Sequence, residues 1–205
     1  MEQRDVIVQI GLNHAGTHSL HNALRILGYS VLSPEKYNQV IMEKKKIYLE
    51  KKCLFDNYRN AKPLLSGPIF RGYDAFIRLF GIDLELIQRL RMDPRYNVKF
   101  IFLDRDILGY VESSVKKYED VSILESGQSI RYADVIVGAT EIHKKAQSLK
   151  QFLLDNYDKE ELLVMNLIEG DGWEKLSEFL NQDTPLISFP WDNKGKRTIK
   201  KELVI

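Results

Sequence analysis

Val6-Ile-Val-Gln-Ile10 runs directly into Gly11-Leu-Asn-His-Ala-Gly16 and then Thr17-His-Ser-Leu20. Four of the first five residues are β-branched and apolar, with no polar face. That is the composition of a strand buried on both sides of a parallel sheet. From Thr17 the period changes. Leu20, Ala23, Leu24 and Leu27 fall at i, i+3, i+4 and i+7, one helical stripe, and Gly28 follows as a stop. Residues 29–32 read as a second short strand. A strand–loop–helix–strand opening is a βαβ unit. It predicts an α/β fold with a short parallel sheet and helices on both faces.

Gly11 and Gly16 are separated by four residues, after a strand and at a helix start. This is the spacing and context of a loop that cradles phosphate. Glycines let the backbone turn so that successive N–H groups point inward, and the helix N-terminus adds partial positive charge. Thr17 and Ser19 add hydroxyls. A nucleoside triphosphatase needs Lys at position 17 and Ser or Thr at 18, whereas this chain has Thr17 and His18. The lysine that reaches the β- and γ-phosphates is absent, which disfavours ordinary ATP or GTP hydrolysis. Two readings of the loop stay open, a structural turn and an anion cradle, and the strand–helix context favours the cradle.

The 205 residues suit one domain spanning 1–205, in which 33–94 reads as a variable acceptor-site or lid segment. Val98-Lys-Phe-Ile-Phe-Leu103 is the clearest interior strand, and 162–167 is another, with one more possible near 63–69. Residues 63–81, rich in glycine and aromatics, read as loop plus a short helix. Helices are predicted over 84–90, 107–118, 131–154 and 171–180, with a basic surface helix within 33–62. Lys and Arg total 30 against 29 Asp and Glu, a balance unlike that of a nucleic-acid-binding domain. That balance hides an excess of four positive charges over 43–62 and a basic tail from 192. No apolar run is long enough to span a membrane. The single cysteine, Cys53, rules out an internal disulfide framework and suits a reducing, cytoplasmic setting.

Several motifs then fall in one order. Asn13-His14-Ala15-Gly16-Thr17-His18-Ser19-Leu20 is followed by Leu27-Gly28-Tyr29. Arg105 stands just beyond the interior strand, with Ser113 eight residues on. Gly172-Trp173-Glu-Lys-Leu176-Ser-Glu-Phe179-Leu180 follows the last strand, and Phe189-Pro190-Trp191-Asp-Asn193-Lys194 closes the series. Together these segments resemble the sulfotransferases that use 3′-phosphoadenosine-5′-phosphosulfate. The matches span 6–32, 95–118 and 162–195, about half the chain, and 33–94 matches loosely.

The resemblance implies a sulfonyl transfer from that donor to a hydroxyl or amine of a small-molecule or glycan acceptor, leaving 3′,5′-adenosine bisphosphate. It implies that Asn13, His14, Ala15, Gly16, Thr17, His18 and Ser19 hold the 5′-phosphosulfate. Arg105 and Ser113 would hold the 3′-phosphate, an arrangement that suits the guanidinium fork. Lys194-Gly195 matches part of a late loop that contacts the same phosphate. No metal is expected, because in-line transfer needs only donors that neutralise charge.

Three departures stand out. The family's loop Lys or Arg is His14 here, which as a neutral imidazole donates one hydrogen bond and as a cation replaces the charge. This leaves a catalytically impaired nucleotide binder and a P-loop small-molecule kinase as alternatives. His14, His18 and His21 lie within eight residues but lack an acidic or thiol partner for a metal. The general base has no motif. Asp74, in Tyr73-Asp74-Ala75-Phe76, is the candidate catalytic carboxylate, with Asp56 behind it. Four residues after Asp74, where the resemblance places a second Asp, this chain has Arg78.

Overall fold

The computed structural model describes residues 3–33, 42–122 and 132–191. Five parallel strands form one sheet: β1 (Arg4–Gly11), β2 (Val31–Leu32), β3 (Ala75–Gly81), β4 (Tyr96–Leu103) and β5 (Leu162–Met165), in the order β2-β3-β1-β4-β5. The helices are α1 (Thr17–Ile26), α2 (Met42–Arg59), α3 (Leu84–Arg91), α4 (Ile107–Ser122), α5 (Tyr132–Asn156) and α6 (Trp173–Leu180). The single-domain α/β expectation is met.

β1 and β4 form the buried centre. Val6, Val8, Ile10, Phe100, Ile101 and Phe102 are all essentially inaccessible. They read in sequence as continuous apolar runs because each strand has neighbours on both edges and cover on both faces. Leu20, Ala23 and Leu24 of α1 pack into the same core, as the stripe predicts. From β1 the chain crosses to β2 on one side, and from β4 it crosses to β5 on the other. With right-handed crossovers, opposite directions put the connecting helices on opposite faces.

One element differs from the sequence reading. The stretch 63–81 is not loop plus short helix, and no strand lies at 63–69. A 3₁₀ turn covers Pro68–Phe70, and Ala75–Gly81 is an interior strand between β2 and β1. Arg78 disguises it by interrupting the apolar run Ala75-Phe-Ile and Leu79-Phe80. The segment 33–94 therefore supplies β3 and α3 to the core as well as α2. Its aromatics divide accordingly: Phe70 and Phe76 are fully buried, while Phe55 is exposed.

β3 carries an irregularity. Ile7 pairs with Ala75 and Val8 with Phe76, yet Ile10 pairs with Gly81. One residue of β1 thus faces four of β3, a bulge that bends the strand near its carboxyl end. Gln9, 1% exposed, fills the gap in the ladder. Its Oε1 accepts the Arg78 N–H at 2.9 Å and its Nε2 donates to the Ile10 carbonyl at 2.7 Å. Gln9→Leu keeps the volume and strands both backbone groups. A loss of about 2–4 kcal/mol is expected in denaturant unfolding, and a loss below about 0.5 kcal/mol would show that the clasp carries no weight.

Candidate functional site

β1 and β4 run in register to a common end, where Gly11 is paired with Leu103. Their chains then leave in opposite directions, which makes the carboxyl end of this pair a topological switch point, the place where open α/β sheets bind ligands. The loop after β1 and Asp104-Arg105-Asp106 after β4 line that crevice.

The loop's shape comes from its backbone. Gly11, His14 and Gly16 have φ of 94°, 64° and 98°. A Cβ on Gly11 would meet the Leu103 carbonyl oxygen at 3.0 Å, and one on Gly16 would meet Leu167 Cδ1 at 2.5 Å. Both glycines are therefore required for conformation and for space. Gly16 is also the N-cap of α1 and brings no side-chain cap, so an anion can take the place of one at the first-turn amides. Asn13 and His18 are exposed, His14 is half-buried, and Ala15, Thr17, Ser19 and His21 are buried. Among the described residues, no three His, Cys, Asp or Glu side chains are grouped to hold a metal ion.

Arg105 reaches across the crevice and its Nη1 donates to the His14 carbonyl. Its own carbonyl lies 2.9 Å from His143 Nε2 on α5. Asp104 anchors the turn by accepting from the Arg105 N–H at 2.9 Å, from Gln147 at 2.8 Å and from Lys150 at 2.8 Å. Burial pushes the Asp104 carboxyl up, but the bonds from Lys150 and Gln147 hold it below its ordinary value. Gly109 leaves room for the Arg105 side chain, since a Cβ there would meet Nε at 3.0 Å.

Ser113 lies on the helix that follows. Tyr110, Ser113, Ser114 and Lys117 occupy i, i+3, i+4 and i+7 of α4, a single face. Tyr110 is buried with its ring 6.5 Å from that of His14 and 6.1 Å from that of His143. Ser114 donates to the Tyr110 carbonyl at 2.9 Å. Ser113 is half-buried and stands three residues on from Tyr110 along α4.

His14 is neutral. Burial, followed by Lys117, Arg78, Arg105 and His18, lowers its pKa to about 4. Of the two states that the sequence allows, the structure selects the uncharged imidazole. Arg78, Lys117 and His143 were not singled out as site residues from the sequence. They arrive from β3, α4 and α5, and only the sheet order brings them to the loop.

Asp74 is not brought to this site. Ala75 pairs with Ile7, so Asp74 stands beside Val6, five residues short of Gly11. At ~3.3 Å per residue this is about 16 Å away, at the amino end of the sheet. There Asp74 Oδ2 accepts the Ser30 N–H at 3.1 Å, and its carbonyl accepts from Ile7 at 2.8 Å. It clips strand starts together. Asp56 forms an exposed i,i+4 pair with Lys52. Lys194 and Gly195 lie outside the described residues. Trp173, Leu176 and Phe189 are core, and Trp173 donates to the Ile187 carbonyl at 2.7 Å.

The sulfotransferase domain family matches residues 138–198. The fold is similar to the sulfotransferase domain from the curacin biosynthetic pathway, with TM-score 0.54, 14% identity, and coverage of 91% of this chain and 77% of that one. It is also similar to the sulfotransferase domain of the Synechococcus PCC 7002 olefin synthase, with TM-score 0.53, 11% identity, and coverage of 90% and 76%. No curated protein matches the chain. The family match over residues 138–198 and the fold along most of the chain point the same way, to similarity with sulfotransferase domains.

A lowered histidine pKa has a definite sign. The unfolded imidazole titrates near 6.5 and the folded one near 4. The unfolded state therefore binds more protons between these values, and stability falls as pH drops through that window. His14→Asn tolerates the positive φ and should flatten this part of the stability–pH curve. In proton NMR the His14 ring signals should stay fixed between about pH 8 and 5.5. A midpoint near 6.5 would contradict the neutral assignment.

Proposed function

We propose that the chain is a sulfotransferase whose donor is 3′-phosphoadenosine-5′-phosphosulfate, held in the crevice between β1 and β4. The observation that carries this reading is the placement of Arg105. It leaves β4 at the level of the loop and touches the His14 carbonyl, and Ser113 follows eight residues on, on α4. The loop amides with Thr17, His18 and Ser19 suit the 5′-phosphosulfate. Arg105 and Ser113 suit the 3′-phosphate, which distinguishes this donor from ATP. Lys194 and Gly195 complete that phosphate's surroundings in this reading.

The reaction is an in-line displacement at sulfur. A hydroxyl or amine of a small-molecule or glycan acceptor attacks, the bond from sulfur to the bridging phosphate oxygen breaks, and the sulfonyl group moves. The products are the sulfated acceptor, 3′,5′-adenosine bisphosphate and one proton. The chain's contribution is to align donor and acceptor and to stabilise charge on the leaving oxygen with fixed donors. His14 gives one neutral hydrogen bond toward that oxygen.

Neutral His14 also favours a second reading, a protein that binds the nucleotide without transferring sulfonate. His14→Lys separates the two. Turnover that appears only in this variant, in a labelled-sulfate transfer screen, identifies the wild type as a binder. Transfer by the wild type identifies an enzyme.

Calorimetry tests donor recognition. The wild type should prefer 3′,5′-adenosine bisphosphate over adenosine 5′-monophosphate and over ATP. Arg105→Ala should weaken the bisphosphate by about 10- to 100-fold, the worth of one or two charge-assisted hydrogen bonds. The monophosphate, lacking the 3′-phosphate, should bind both forms alike. A variant that keeps the preference would refute the role given to Arg105.

A further inference from the structure

Gly109 is unlike the two glycines of the loop. Gly11 and Gly16 have positive φ, whereas Gly109 does not and lies inside α4. Backbone conformation therefore does not require glycine at 109, and glycine is a poor helix former. Asp106 caps the helix, its Oδ1 accepting the Gly109 N–H at 2.7 Å. That makes Gly109 the third residue of the first turn, the position at which Glu or Gln completes a capping box. Glycine has no side chain to give to that cap.

What glycine gives there is room. A Cβ at 109 would stand 3.0 Å from Arg105 Nε, 3.2 Å from Arg105 Nη2 and 2.9 Å from Asp106 Oδ2. Nε and Nη2 form one two-pronged edge of the guanidinium, and that edge lies against the bare first turn of α4. The remaining nitrogen, Nη1, donates to the His14 carbonyl. From behind, the turn is pinned to α5. Asp104 accepts from Gln147 and Lys150, and His143 Nε2 lies 2.9 Å from the Arg105 carbonyl. The guanidinium is seated between the loop and α4, and the seat exists because one side chain is missing.

The same turn leads to Ser113. Gly109 and Ser113 are i and i+4 on α4, with Cβ positions about 6 Å apart. The 109 Cβ position is 3.0 Å from Arg105 Nε, so Ser113 Cβ falls within about 9 Å of that nitrogen. A phosphate bridges such a gap with one oxygen on the guanidinium and another on the hydroxyl, at ~2.8 Å each. Helical Cα–Cβ bonds tilt toward the N-terminus, so the Ser113 side chain leans over the Gly109 turn.

We infer that Gly109 is a positioning and specificity-determining residue: its missing side chain seats the Arg105 guanidinium on the first turn of α4, within one phosphate of Ser113. This rests on the donor reading above, which gives Arg105 and Ser113 the 3′-phosphate. A methyl group at 109 meets only the ends of flexible side chains. The fold accommodates it, and the guanidinium is what moves. Recognition of the 3′-phosphate falls while the helix is kept.

The test measures 3′,5′-adenosine bisphosphate and adenosine 5′-monophosphate by calorimetry on the wild type, Gly109→Ala, Arg105→Ala and the double variant. Gly109→Ala should melt within about 3 °C of the wild type. It should weaken the bisphosphate about tenfold, a share of the loss expected on removing the guanidinium, and the monophosphate less than about twofold. In the Arg105→Ala background the same methyl group should change bisphosphate affinity by less than about twofold, because its effect passes through the guanidinium. Equal weakening of both nucleotides, weakening of neither, or a loss that persists without Arg105 overturns the role of Gly109 and leaves the donor reading intact. A Gly109→Ala chain that melts far below the wild type assigns the gap to the fold and overturns it too. A wild type with no preference for the bisphosphate overturns the donor reading, and this inference with it.

Discussion

The site depends on two parallel strands that end at one level and part. Gly11 and Leu103 are partners in the ladder, so the residues after them, 12–16 and 104–106, leave the sheet side by side. The chain then turns one way from β1 and the other way from β4. The gap between them becomes the crevice. The Arg105 contact to the His14 carbonyl, the Tyr110 packing against the His14 ring and the Asp104 anchor on α5 all follow from that alignment. Shifting the register by one residue would turn the inward side chains outward and separate the two ends.

Local features of this arrangement were legible in the sequence. The switch from a β-branched run to a helical stripe located β1, the loop and α1 within a residue or two. Gly11 and Gly16 could be read because a positive φ and a close approach leave few alternatives to glycine. The placing of Arg105 just past an interior strand and of Ser113 on the next helix could be read because both patterns are local.

What was not legible depends on partners distant in sequence. Gln9 looks like a polar interruption in an apolar strand until β3 is set beside it, 69 residues away. Arg78 looks like a break in a weak pattern, and it hid β3 altogether. Lys117 and His143 are ordinary helical residues until α4 and α5 pack at the crevice. Asp74 illustrates the opposite error. A carboxylate near a loosely matching motif invites a catalytic role, but parallel pairing with β1 fixes it at the amino end of the sheet, where it serves Ser30 and Ile7. Sequence gives the order of residues along a strand, and only pairing gives the end of the sheet at which each one stands.

The electrostatics give the arrangement its logic. The chain is nearly neutral as a whole, yet at one imidazole burial first, and then the charges of Lys117, Arg78 and Arg105, favour the uncharged form. A lysine at position 14 would sit within the same field and would have to take up a backbone conformation with φ near 64°. Histidine there resolves both constraints. It tolerates the left-handed backbone better than most residues, and it gives up its charge where a fourth cation would add repulsion. The loop can then be shaped by its backbone while the cations come from strands and helices whose positions the core already fixes. Charge held on such elements is preorganised, whereas charge on the loop would depend on the least constrained part of the site.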